Sequence, residues 1–188
     1  MTQIKATLLT GVNHIETVSF PCSDDEIMRL TEQNEVGHKA TVFINNLVGP
    51  KGLKSIEGTY ANIHELNYLA KRLEGFDTGE AAQFQAMAHK LELFELKDLI
   101  NLTFCCQQAT VITDFSDLNT VGRDHYINLH GGCAKTEELD ALDGEETARR
   151  LIESGSGTIT PYGVVYDNGM KLEQVYDGRF FPCYYYEP

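Results

Sequence analysis

The chain has 188 residues, 42 % hydrophobic and 23 % charged, enough apolar material for a buried core. Its 28 acids against 15 bases leave a formal net charge of −13, which repels phosphate. That charge counts against direct binding of DNA, RNA or an anionic membrane and favours a basic protein partner.

Residues 1–50 read as a small β-β-α-β unit. "QIKATLLTGV" is strand-like, and in "ETVSFPC" Val18, Phe20 and Cys22 fall on one face at period two. Ser23 with Glu26 three places on makes a capping box for a helix carrying Ile27, Met28 and Leu30 to about Asn34. "KATVFINNLVG" is the third strand, and "GPKG" at 49–52 is a loop and boundary.

Residues 51–108 read as a helical bundle. Asn62 caps "IHELNYLAKRLEGF", with the stripe Ile63, Leu66, Leu69, Ala70 and Leu73. Thr78 is the expected cap of "GEAAQFQAMAHKLEL", with Phe84, Met87, Ala88 and Leu91 inward. "ELKDLINLTFCC" turns Leu96, Leu99, Ile100 and Phe104 inward, and the short connections make the helices antiparallel neighbours.

Residues 109–188 read as an acidic α/β unit. "ATVITDF" is a strand, Ser116 caps a helix to about His130, and "HGGC" stops it. A second helix spans 136–154, with Asp143 and Glu146 as a capping box and Ala148, Leu151 and Ile152 inward. "TPYGVVY", "KLEQVY" and "RFFPCYYYEP", joined at Asp167-Asn168-Gly169 and Asp177-Gly178, make a three-stranded meander. The expected fold is therefore α+β and elongated: a ββαβ unit, a central bundle, and a C-terminal α/β unit ending in an antiparallel meander.

No P-loop, G-x-S-x-G elbow or G-x-G-x-x-G occurs, and the reading is non-enzymatic. His125, His130 and Cys133 have neither a Cys-x2-Cys partner pair nor a shared helix face, so they read as helix-end polar residues, with no metal or cofactor. Five cysteines, with Cys105 and Cys106 adjacent, fit a reducing cytoplasm rather than a disulfide framework. No run approaches 18 consecutive apolar residues, so no membrane span is expected. In "YYY", alternate rings face opposite sides of a strand, which offers Tyr184, Tyr185 and Tyr186 as a protein interface.

The strongest functional signal is acidic. Across 111–154 ten acids face only Arg123, Lys135, Arg149 and Arg150. Capping and helix dipoles explain Asp143, Glu145 and Glu146, and a first helical turn favours Glu137 and Glu138. Like charges four apart cost a helix a few tenths of a kcal/mol each. A surface that tolerates them can stand in for duplex DNA, with its one charge per ~1.7 Å of axis. The candidate phosphate-mimicking residues are Asp114, Asp117, Asp124, Glu137, Glu138, Asp140, Asp143, Glu145 and Glu146.

Three stretches, "NIHELNYLAKRLEGF" (62–76), "DFSDLNTVGRDHYIN" (114–128) and "EETARRLIESGSGTITPYGVVY" (145–166), in this order and spacing, resemble the ArdA antirestriction proteins of plasmids and conjugative transposons. The resemblance covers most of residues 1–170. It implies a cytoplasmic DNA-mimic inhibitor, often a homodimer, that evades host defence by occupying the DNA groove of a type I restriction-modification enzyme. Ala148-Arg149-Arg150 stands where that family has Gly-Arg-Asp, and the aromatic tail lies outside the matched pattern. A diverged member with another target, such as a CRISPR effector, is an alternative, because such effectors also hold duplexes in positive channels. A protein-interaction module of a conjugative element, without mimicry and with the tyrosines as contact surface, is the other.

Overall fold

The computed structural model describes residues 3–10, 14–33 and 40–182. The chain is α+β with two antiparallel sheets. The first runs β2-β1-β3-β4, built from β1 (Ile4–Thr10), β2 (His14–Phe20), β3 (Thr41–Val48) and β4 (Tyr60–Asn62). Period-two alternation makes its inner face: Ile4, Ala6, Leu8 and Thr10 are buried while Lys5 is exposed. In β3 that period breaks, burying Val42 and Ile44 and then Leu47. Thr7 pairs with Asn46 and Leu8 with Ile44, so Asn45 is the extra residue of a bulge that returns Leu47 to the core face.

Helices extend this core. α1 (Asp24–Gln33) starts at Ser23, whose hydroxyl accepts the Glu26 N–H at 3.3 Å. The Glu26 carboxylate turns to Arg29 at 2.7 Å. In α2 (Ile63–Glu74) the cap Asn62 is also the last residue of β4, and its side chain accepts the His64 N–H at 2.9 Å. Ile63, Leu66, Leu69 and Ala70 are buried as expected. For α3 (Thr78–Lys90) the cap is Asp77 rather than Thr78: Asp77 accepts the Glu80 N–H at 2.8 Å, and the Asp77 N–H donates to Glu80 at 3.0 Å. A carboxylate offers the helix N-terminus a full negative charge, which a hydroxyl one place later cannot match. Leu91 at the end of its stripe is 38 % exposed rather than inward. α4 (Leu96–Leu102) follows. Beyond the expected loop at 49–52, Lys51–Ile56 coils into a 3-10 helix that buries Leu53 and Ile56. One apolar cluster then runs from Ile4 through α2, α3 and α4 to Val165 and Tyr176, so the segments on either side of residue 50 share a core.

The second sheet has the order β5-β7-β6, from β5 (Thr110–Ile112), β6 (Thr158–Thr160) and β7 (Gly163–Tyr166). The expected C-terminal three-stranded antiparallel sheet is present with different members. "TPYGVVY" is not one strand, because the chain reverses at Pro161-Tyr162 and pairs Thr160 with Gly163. The turn at Asp167-Asn168-Gly169 forms, with Asn168 and Gly169 at φ 54° and 77° and the Met170 N–H donating to the Asp167 carbonyl at 2.8 Å. The "KLEQVY" after it is no strand. β7 lies between β5 and β6, so it has no free edge to offer. Asn101 of α4, fully buried, receives that segment instead: it accepts the Tyr176 N–H at 2.7 Å and donates to the Tyr176 carbonyl at 3.0 Å. One side-chain amide replaces a strand partner. Beyond it Tyr176, Phe181 and Tyr68 stack at 5.1 and 4.7 Å, and the Tyr68 hydroxyl donates to the Pro182 carbonyl at 2.9 Å. Arg179–Pro182, the described part of the last expected strand, form no ladder.

Replacing Asn101 with leucine keeps the branching at Cγ and leaves the Tyr176 N–H and carbonyl buried without partners. Asn101→Leu is expected to destabilise the chain by roughly 2–4 kcal/mol in urea unfolding.

Candidate functional site

The acidic segment forms an outer layer. On β7, Val165 joins the main core, whereas Val164 and Tyr166 point to the opposite face of the sheet. There, Ile112, Tyr166 and Leu151 make a second, small core, with Val121 and Ile152 packed on it. It carries α5 (Leu118–Leu129) and α7 (Gly144–Glu153), with α6 (Thr136–Ala141) between them in sequence. No residue of α6 is buried.

Two glycines let α5 and α7 cross closely. A Cβ built on Gly122 would lie 1.8 Å from the Gly144 carbonyl oxygen, and one on Gly144 would lie 2.4 Å from the Asn119 carbonyl oxygen. Neither position admits a side chain unless the helices separate. A polar clamp adds to this contact. His125 is buried with Nδ1 3.0 Å from the Thr110 hydroxyl, to which the Asn168 side chain also donates at 2.9 Å. Asn128 donates to the Ala109 carbonyl at 3.1 Å. The clamp therefore ties α5 to β5 and to the 167–169 turn.

The caps differ from expectation. Asp117, not Ser116, caps α5, accepting the Thr120 N–H at 3.0 Å and the Thr120 hydroxyl at 2.6 Å. Ser116 instead donates its N–H and hydroxyl to Asp114 at 2.9 and 2.8 Å. The single helix expected over 136–154 is broken at Leu142-Asp143, because extended Asp143 caps a new start, accepting the Glu146 N–H at 3.0 Å. Glu146 turns to Arg150 rather than closing the box.

All nine candidate acids are exposed. They divide into two groups. Glu145 pairs with Arg149 at 2.6 Å, Glu146 with Arg150 at 2.8 Å, and Glu138 lies 4.0 Å from Lys135. The two arginines thus neutralise part of α7, which narrows the negative surface. Asp114, Asp117, Asp124, Glu137, Asp140 and Asp143 form no ion pair among the described residues. Hydrogen bonds from Ser116 hold Asp114 below the usual carboxylate range, and those from Thr120 do the same for Asp117. Such donors fix a negative charge without cancelling it. Asp124 moves the other way, raised by partial burial and then by the neighbouring Asp117. Arg123 spends its guanidinium on the Leu139 carbonyl at 2.7 Å, which ties α6 to α5.

Tyr184, Tyr185 and Tyr186 lie outside the described residues. His130 bonds the Tyr126 carbonyl at 2.7 Å and stacks on the Tyr126 ring, while Cys133 is exposed. Among the described residues no group of three or more His, Cys, Asp or Glu side chains is placed to hold a metal. No described helix is long and apolar enough to cross a membrane. The sequence reading missed Gly122, Gly144 and the Thr110 clamp. A glycine inside the helical pattern at Val121-Gly122-Arg123 was the available signal.

No family model, curated protein or solved structure matches the chain.

Gly122→Ala is expected to lower stability by about 2–3 kcal/mol, the cost of overpacking, and to loosen α5 from α7 in amide exchange. Burial lowers the His125 pKa from 6.5. The unfolded chain therefore takes up this proton first, so His125's contribution to stability is full above pH 6.5 and falls as pH drops through the folded value. An NMR titration of the His125 ring is expected to give a midpoint below 6.5.

Proposed function

We propose that the chain is a DNA-mimic, antirestriction-type inhibitor that occupies the DNA-binding groove of a host defence nuclease, with a type I restriction-modification enzyme as first target. The observation that carries this reading is the set of six exposed carboxylates on the layer of α5, α6 and α7 without ion-pair partners among the described residues. That layer rests on its own small core, facing away from the main one. Such a surface meets a lysine- and arginine-lined groove by Coulomb attraction and needs no reacting group. The resemblance of residues 62–76, 114–128 and 145–166 to the ArdA proteins supports the same reading.

Glu137 and Asp140 test it cleanly, because α6 buries nothing and neither residue caps a helix. Glu137→Gln with Asp140→Asn is expected to leave the fold intact and weaken inhibition of a type I restriction enzyme. The slope of log affinity against log salt should flatten by about 2, one per lost charge. Glu145→Gln should do less, since Arg149 already offsets that charge. Unchanged affinity and slope in the double variant would remove the mimicry. The same assay on a CRISPR effector tests the alternative target.

A second reading, a protein-interaction module without mimicry, draws on Phe180, which is 83 % exposed next to the stacked Phe181. In that case Phe180→Ser abolishes partner binding and the α6 variant does not.

A further inference from the structure

A cleft of about 730 Å³ opens between the 3-10 helix at Lys51–Ile56, the end of α3 and the β6–β7 turn. That is the size of a small-ligand site, roughly 300–1,000 Å³. It shares no residue with the acidic layer.

The end of α3 sets one wall. The Glu92 N–H bonds the His89 carbonyl and the Leu93 N–H the Ala88 carbonyl, at 3.2 and 3.1 Å, with Glu92 at φ 51°. This left-handed cap fixes the backbone that leads into Phe94. Phe94 is 62 % exposed, and Pro161 and Tyr162 complete the apolar lining. The polar groups are few. Lys51 forms no ion pair among the described residues, whereas Lys54 is held by Glu57 at 2.7 Å. His89 meets Tyr162 edge-on, with ring centres 6.3 Å apart. Ser55 adds an independent sign. Its hydroxyl oxygen is buried without a hydrogen-bond partner, the one such side-chain atom among the described residues, and Ser55 lines the cleft. Buried hydroxyls are nearly always paired, and this one gains a partner from the cleft only when its side chain turns to face it.

We propose that this cleft binds a small aromatic monoanion, its planar body against Phe94 and Tyr162 and its charged group at Lys51, with His89 and, once its side chain turns into the cleft, the Ser55 hydroxyl as hydrogen-bonding partners. Glu92 in the lining and the net charge of −13 exclude polyphosphates and leave room for a single negative charge.

The test is a titration of the full chain with 1-naphthoate, followed by amide NMR. Saturable shifts are expected at 51–55, 88–94 and 161–162. Neutral 1-naphthalenemethanol and the cation 1-naphthylmethylamine should bind more weakly. Lys51→Glu and Phe94→Ser should each raise the Kd about tenfold. Ser55→Ala should raise it severalfold, and Lys171→Glu, outside the cleft, should not change it. Shifts that are scattered or unsaturated at about 10 mM, the weak end of specific binding, would overturn the proposal. So would equal affinity for anion and cation, or a Kd indifferent to Lys51→Glu.

Discussion

The acidic layer depends on the contact between Gly122 and Gly144. The core that the two helices share is only Ile112, Leu151 and Tyr166 with a few half-buried neighbours. What that core lacks in area is offset by approach. Without side chains at 122 and 144, backbone meets backbone and dispersion contacts are gained along the crossing. The clamp of His125 and Asn128 on β5 fixes the other side of α5. The carboxylates of α5 and α7 are thus presented by two closely packed helices, which limits the ordering cost of binding.

The electrostatics follow from how each acid is held. Hydrogen-bond donors and arginines both stabilise a carboxylate, with opposite consequences for a partner. Asp114, Asp117 and Asp143 accept N–H groups and keep their charge. Glu145 and Glu146 meet guanidinium groups and lose most of their field. Exposed pairs of this kind add little stability, about 0.3–0.5 kcal/mol each, and mainly reshape the surface. The negative field is therefore carried by the start of α5, by α6 and by the cap of α7.

Much of the fold was legible because local signals were strong. Alternation in β2 and the stripe of α2 depend only on near neighbours, and they appear where expected. The misses are non-local. "KLEQVY" has a strand's composition and follows a turn that does form, yet β7 was already flanked by strands from 110–112 and 158–160. Nothing in the local sequence says that an edge is taken. Asn101, a polar residue within "LINL", was the visible trace of where that segment goes. At the candidate site the acids themselves could be read from the chain. Their pairing with Arg149 and Arg150 needed coordinates, as did the choice of Asp117 over Ser116 as cap.

The central claim is that this surface and duplex DNA compete for one groove. The most direct measurement is displacement of a labelled duplex from a type I restriction-modification enzyme, titrated with the chain and followed by fluorescence anisotropy. The account predicts complete, stoichiometric displacement, with the apparent affinity of the chain rising in proportion as duplex is withdrawn. A ternary complex, in which enzyme holds duplex and chain together with undiminished affinity for each, would contradict it.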